Sequence, residues 1–233
     1  MNDRTDRTDR TDRTARTPET TRTARTARTD QAIHTTRTTH TTRSVVPTWR
    51  VTETAGLETS WIDLRPTTLT AHGRAAAAEP APYWLDYELE TGDGFTTRRM
   101  HVTARTPETT RTLDLRRDEA TGHWTVDGTP RPDLDGALDC DLGLSPLTNT
   151  PPVLRHALHQ GPGEHHFLMA WIRVPDLVVV PSRQTYTHLR RHPDGSATVR
   201  YASGDYRAEL LLDADGLVAD YPGLAHRLAH HPA

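Results

Sequence analysis

The segment LDCDLGLSPLTNTPPVLRHAL, from Leu138 to Leu158, constrains the fold most, because it joins an acidic strand to the one convincing helical pattern in the middle of a strand-rich chain. Asn149 or Thr150 can accept a hydrogen bond from a first-turn amide, and the two prolines that follow occupy positions where a missing amide hydrogen costs nothing. We expect a short helix that starts near residue 151 and stops by Gly161. A helix this short is marginal in water, so a surrounding sheet must bury its apolar side.

From Val45 onward, short runs of alternating apolar and polar residues are separated by turn signals, as is typical of antiparallel strands. The predicted strands are Trp49–Thr54, Thr67–His72, Tyr83–Glu90, Phe95–Thr103, Arg111–Arg116, His123–Val126, Phe167–Val174, Leu177–Val180, Gln184–Arg190, Thr198–Tyr201, Tyr206–Leu212 and Leu217–Tyr221, with a terminal helix over Gly223–His230. The fold class is therefore mainly β, with one long antiparallel sheet curled around a single central helix. A cavity between sheet and helix follows naturally from that arrangement.

The first 44 residues cannot form a packed core, because they hold four consecutive DRT triplets and almost no apolar residue. We expect a disordered Thr/Arg/Asp-rich tail over residues 1–44 and one folded domain over residues 45–233. Asp alternates with Arg in the first dozen residues and cancels most of the positive field, so nucleic acid is not an expected partner. The decapeptide TARTPETTRT at Thr14–Thr23 recurs at Thr103–Thr112, where it should form a surface loop.

Several function classes lack their sequence signatures. There is no apolar run of about 18 residues and no secretory leader, which predicts a cytoplasmic protein without a transmembrane segment. Cys140 is the one cysteine, and its acidic neighbours disfavour a thiolate nucleophile. Asp213–Gly216 is better interpreted as a hairpin turn than as a calcium loop, and His226 with His230 as a solvated helix face. We expect no metal and no cofactor.

Asp139 and Asp141 lie two apart on a strand and hence on one face. Two carboxylates at that spacing could invert a glycoside, which makes a hydrolase acting on a glycoside or lipid head group one hypothesis. The favoured alternative is that both acids accept hydrogen bonds from the following turn and the helix start. The chain is accordingly predicted not to be an enzyme.

The motifs DCDLGLSPLTNTPP, QTYTHL at Gln184–Leu189 and DADGLVADYPGL at Asp213–Leu224 resemble the bacterial putative glycolipid-binding family, formerly a domain of unknown function. The resemblance covers about Val45 to Arg227 and includes earlier landmarks at Gly56, Glu58 and the Gly-His-Trp sequence at residues 122–124. It implies a spiral β-roll, homodimers and a likeness to bacterial lipoprotein carriers. Leu147 and Pro151 stand where the family pattern has Phe and Leu.

Six polar residues are predicted to contact a ligand: Arg98, Asn149, Arg155, Gln184, Tyr186 and Tyr201. Arg98 shares a face with Met100 and Val102, so it should lie at a barrel rim or meet a buried acid or an anionic ligand. Each could instead satisfy buried backbone groups. The leading hypothesis is non-catalytic binding of a lipid or glycolipid in an apolar groove between sheet and helix. The main alternative is a dimeric protein-interaction module without a small ligand.

Overall fold

The protein is described by a computed structural model that covers residues 41–229. The strands are β1 (Arg43–Val45), β2 (Thr48–Val51), β3 (Gly56–Leu64), β4 (Leu69–Ala77), β5 (Tyr83–Thr91), β6 (Thr97–Arg105), β7 (Thr110–Arg117), β8 (Trp124–Val126), β9 (Thr129–Pro130), β10 (Asp139–Leu142), β11 (Glu164–Ile172), β12 (Val179–Arg191), β13 (Ala197–Ser203), β14 (Tyr206–Leu212), β15 (Val218–Tyr221) and β16 (Ala225–Arg227). One α-helix, α1 (Thr150–Arg155), occurs in this range. The predicted tail lies outside the described residues except for its last four, of which Arg43 and Ser44 belong to β1.

All sixteen strands form one sheet, which confirms the predicted fold class. Its order runs from β10 through β11 to β16, crosses to β2, and continues through β3 to β9, while β1 pairs with β3. The pairing of β16 with β2 joins the last part of the described chain to the first, and β10 with β11 is the one parallel pair. The sheet does not close by strand pairing, because β10 and β9 remain at its two ends.

Strand β10, at one end of the sheet, lies against β6 of the same sheet. The amide of Thr97 donates to the Leu138 carbonyl at 2.9 Å, and the Cys140 amide donates to Thr97 Oγ1 at 3.1 Å. On the other end, Arg131 Nη2, just after β9, donates to the Val179 carbonyl of β12 at 2.9 Å. These contacts coil the sheet onto itself and shield part of its open edges.

The core follows the inward residues of alternating strands. In β5, Tyr83, Leu85, Tyr87 and Leu89 are buried, as the period-two pattern predicts. Two buried tryptophans also anchor the roll through their indole nitrogens: Trp49 Nε1 donates to the Val218 carbonyl at 2.8 Å, and Trp124 Nε1 to the Ala137 carbonyl at 3.0 Å. The first bond spans strand β16, which lies between β15 and β2, and the second joins β8 to the segment before β10, near the opposite end of the sheet, so both rings tie separate segments together as well as filling space.

Helix α1 is buried as predicted, but it is shorter. A 3₁₀ turn (Pro146–Asn149) precedes it, and Thr150 to Val153 are buried. Ala157 adopts φ 50°, a left-handed conformation that ends the helix, and the Leu158 amide then donates to the Val153 carbonyl at 3.0 Å. The predicted stop near Gly161 is therefore too late. Neither predicted cap applies, because no side chain caps the helix start.

Two further predictions are wrong. The terminal segment is strand β16, because its backbone pairs with the free edge of β2; His226 lies in that strand, and His230 lies outside the described residues. Strand β3 has no counterpart among the predicted strands. Its inward positions hold Gly56, Glu58 and Ser60, whereas Leu57 points outward, so its polarity pattern is inverted.

The repeated decapeptide forms the β6–β7 hairpin, and its outer residues belong to the two strands. The loop itself is short, since the Thr106 amide donates to the Thr109 carbonyl at 2.9 Å. Among the described helices, none is long and apolar enough to cross a membrane.

Gly73 is required by the packing of β4 against β5. A Cβ at this position would lie 2.4 Å from the ring of Tyr87. That ring cannot move aside easily, because its hydroxyl donates to Glu58 at 2.6 Å. We expect Gly73→Ala to lower the free energy of unfolding by about 1–3 kcal/mol, the usual cost of overpacking, in urea denaturation.

Gly161 supplies the control, because a Cβ there would meet nothing within 4 Å. Gly161→Ala should leave the free energy of unfolding within about 0.5 kcal/mol of wild type. Equal effects of the two substitutions would contradict the close contact at Gly73.

Candidate functional site

A cavity of about 590 Å³ lies between the inner face of the sheet and the turn that leads from β10 towards α1. This volume is within the range of small-molecule sites. Its apolar wall consists of Leu142, Leu144, Trp171, Val174 and Leu224, and its polar wall includes Asp141, Asn149, Ser182, Gln184, Tyr201, Ser203, Tyr206 and Tyr221. The cavity lining thus combines apolar side chains with hydroxyl and amide groups.

Three predicted site residues, Asn149, Gln184 and Tyr201, line this cavity. Tyr186 is fully buried and links two of them. Asn149 Nδ2 donates to the Tyr186 hydroxyl at 2.7 Å, and that hydroxyl donates to Gln184 Oε1 at 3.3 Å. The structure therefore brings three residues of the predicted set into one hydrogen-bond network, and Tyr201 contacts Tyr186 edge to face.

The network ends on Asp141, which was considered as a catalytic acid rather than as a ligand contact. Gln184 Nε2 donates to Asp141 Oδ2 at 2.6 Å, and Thr148 Oγ1 donates to Oδ1 at 2.9 Å. Burial raises the pKa of Asp141, and the two donors oppose that shift. Thr148 precedes α1, so the turn does donate to this acid as the favoured alternative expects.

Asp139 does not line the cavity and is paired with Arg155 of α1. Arg155 Nη1 donates to Asp139 Oδ1 at 2.9 Å, and Nη2 contacts Oδ2. The two side chains are only 11% and 1% exposed. Burial raises the pKa of Asp139, and the guanidinium opposes the shift. Arg155 is thus engaged by a protein carboxylate, and only Asp141 of the acid pair reaches the cavity wall.

Arg98 does not point inward. A β-bulge shifts the register between β5 and β6, so that Glu90 pairs with Arg99 whereas Thr91 pairs with Thr97. The extra residue turns Arg98 outward, where it forms an ion pair with Glu119 at 3.0 Å. The prediction that Arg98 shares the inner face with Met100 is therefore wrong, because strict alternation fails at a bulge.

An aromatic row crosses the inner face beside the polar network. Phe167 and Tyr186 have ring centroids 5.5 Å apart, Tyr186 and Tyr201 5.3 Å, and Tyr201 and Tyr221 5.8 Å. The first two contacts are edge-to-face, a geometry that adds to the stability from burial alone. Tyr206 and Tyr221 were missed as site residues, although tyrosines on the inward face of neighbouring strands were a usable signal.

Cys140 points away from the two acids and is buried. Burial raises the pKa of its thiol to about 12, so the thiol stays protonated near neutral pH. Asp213 closes a hairpin turn as predicted, since its Oδ1 accepts the amides of Asp215 and Leu217, each at 2.9 Å. Neither residue contributes to the cavity.

Glu58 supports the turn before α1 through a hydrogen bond from Ser145. Its Oε1 accepts hydrogen bonds from Tyr87 at 2.6 Å, Ser145 at 2.7 Å and Ser60 at 3.2 Å. Burial raises the pKa of Glu58 to about 7, although these donors oppose the shift. Ser145 also lines the cavity, so the carboxyl holds the cavity wall in place.

The raised pKa predicts a pH-dependent stability. Between its ordinary value of 4.5 and about 7, the folded chain holds the Glu58 proton more tightly than the unfolded chain. This contribution is fully present below pH 4.5 and is lost as the pH rises through 7. We expect the unfolding free energy of wild type relative to Glu58→Gln to rise by roughly 2–4 kcal/mol from pH 8 to pH 4.5 in urea denaturation.

Glu88→Gln provides the control, because the Glu88 carboxyl is largely exposed. The unfolding free energy of this variant should change with pH in parallel with that of wild type. If Glu58→Gln also parallels wild type across this pH range, the shifted carboxyl is not Glu58.

Comparison with known proteins places the chain in a family. Residues 46–227 match the family described as putative glycolipid-binding. The crystal structure of a DUF1089 family protein from Pseudomonas aeruginosa, at 1.80 Å resolution, is 31% identical and superposes with a TM-score of 0.61, covering 73% of this chain and 92% of that one.

A β-barrel-like protein of the domain of unknown function DUF1849 from Brucella abortus is 10% identical, with a TM-score of 0.45 over 80% of this chain and 94% of that one. No curated protein matches the chain. The matched range includes almost the whole roll, from β2 to β16. The chain belongs to the family described as putative glycolipid-binding.

Proposed function

We propose that the chain is a non-catalytic binding protein that holds a lipid or glycolipid in the cavity between the sheet and the turn before α1. The observation that carries the proposal is that the cavity lining combines apolar side chains, such as Trp171 and Leu144, with polar ones, such as Asn149 and Gln184. An amphiphile combines the same two kinds of surface. The family description points to the same class of ligand.

The binding free energy would come mainly from the apolar wall. Burial of apolar surface contributes about 25 cal/mol per Å², from which the cost of ordering the ligand is subtracted. The polar wall would orient the head group, because its amides are already fixed by the bonds among Asn149, Tyr186 and Gln184. Such preorganisation lowers the cost of binding.

A hydrolase would need a second group beside Asp141. Asp139 is held by Arg155 and lies outside the cavity wall, so the pair cannot place an acid and a base on opposite sides of one bond. We therefore favour binding over catalysis. The free, buried Cys140 supports a reducing, cytoplasmic location as part of this proposal.

A large side chain that fills the cavity should abolish the uptake of lipid. Ser182 lines it, whereas the side chain of the next residue, Arg183, is exposed and points to the other face of β12. We expect Ser182→Trp purified from a bacterial host to lose any lipid adduct that wild type retains in native mass spectrometry. Arg183→Trp should retain it. Wild type without an adduct and without uptake of added lipid would contradict the proposal.

We also propose that two copies of the chain associate through the outer face of β3, β4 and β5. Leu57 pairs with Ala76, and Ala76 with Trp84, so these side chains form one apolar row across three strands. Leu57 is 49% exposed and Trp84 42%. A second copy would cover this row, in line with the homodimers that the family resemblance implies.

Light scattering coupled to size exclusion tests the dimer. Wild type should elute with twice the chain mass of 26.1 kDa, and Trp84→Glu should elute as a monomer. Val178→Glu changes an equally exposed apolar residue on another part of the roll and should remain dimeric. A monomeric wild type, or equal behaviour of both variants, would contradict this interface.

A further inference from the structure

We propose that the cavity selects head groups rich in hydrogen-bond donors, such as the hydroxyls of an uncharged sugar, and rejects phosphate, with Asp141 as the residue that discriminates. This inference rests on the proposed function and adds the chemistry of the head group to it. The supporting observation is the direction of the hydrogen bonds that line the polar wall.

The direction of these hydrogen bonds is fixed at Tyr186. A phenol has one hydrogen, and Asn149 Nδ2 already donates to the Tyr186 oxygen at 2.7 Å. The Tyr186 hydrogen is therefore donated onward to Gln184 Oε1 at 3.3 Å. This contact orients the Gln184 amide, so that Nε2 faces Asp141 and donates to it at 2.6 Å. Every donor in this series of hydrogen bonds, from Asn149 through Tyr186 and Gln184, points towards Asp141.

Asp141 is an acceptor with capacity to spare. An ionised carboxylate has about four lone-pair positions, and Gln184 and Thr148 use one on each oxygen. The residue is only partly buried and lines the cavity. The remaining positions can accept hydrogen bonds from sugar hydroxyls. A lipid phosphate diester has no hydrogen to donate, so it can make no such bond.

The charges around the cavity also disfavour an anionic head group. Arg173 lines it, but its guanidinium pairs with Asp176 at 2.7 Å. Arg155 forms an ion pair with Asp139. Within residues 41–229, no Arg or His forms an ion pair with Asp141, and Glu53 adds a further acid at the cavity wall. An anionic head group would therefore meet uncompensated negative charge at the cavity wall.

Isothermal titration of the full chain with decyl β-glucoside and the diester decyl methyl phosphate, both below their micelle concentrations, tests the inference. The two ligands share the alkyl chain and differ in the head group. Wild type should bind the glucoside at least about tenfold more tightly than the phosphate, the discrimination expected when buried acceptors find or lack their donors.

Asp141→Asn removes the negative charge and offers an amide that can donate to phosphate, so the preference for the glucoside should fall at least about fivefold. Glu53→Gln removes the same charge from the same cavity without touching the chain of hydrogen bonds, and its preference should stay within about twofold of wild type. Equal losses of the preference for the glucoside in the two variants would overturn the proposed role of Asp141.

The outcomes separate the inference from the proposed function. Wild type that binds both ligands equally, or the phosphate more tightly, overturns the inference and leaves the lipid-binding proposal standing. Wild type that binds neither ligand overturns both. The wild-type ratio decides the matter by itself if Asp141→Asn does not fold.

Discussion

The buried ion pair between Asp139 and Arg155 is the interaction on which the arrangement of the site depends. It joins β10 to the last residue of α1, and both partners are almost inaccessible to water. Breaking such a pair by removing one partner typically costs about 3–5 kcal/mol, because an unpaired charge stays buried. With the helix held in this way, the intervening turn has a fixed path. That path places Asn149 on the wall of the cavity that Asp141 of β10 also lines.

The turn between β10 and α1 separates two polar clusters of different character. On one side, three hydroxyls donate to Glu58, whose pKa lies near neutrality. On the other, amide and hydroxyl donors converge on Asp141. Ser145 contacts the first cluster and also lines the cavity of the second. Directed hydrogen bonds thus hold the polar residues of the cavity wall, and such bonds give a defined orientation to the groups they join.

Much of the fold could be predicted from periodicity, and the failures have specific causes. The β5–β6 hairpin and the buried helix follow from local patterns that agree with the tertiary structure. Strand β3 could not be predicted, because its inward Glu58 is stabilised by partners on β5 and in the turn before α1, distant in sequence. Arg98 was misplaced because a bulge leaves no mark in the local alternation. Asn149, Gln184 and Tyr201 do meet at one cavity, but their roles as ligand contacts stay predictions.

The central claim is that an amphiphile occupies the cavity with its head group at Asp141. A crystal structure of the full chain with decyl β-glucoside tests it most directly. The account predicts a sugar hydroxyl within hydrogen-bonding distance of an Asp141 carboxylate oxygen and an alkyl chain along Trp171 and Leu144. A glucoside bound on the outer face of the sheet, with the space beside Gln184 unchanged, would contradict it.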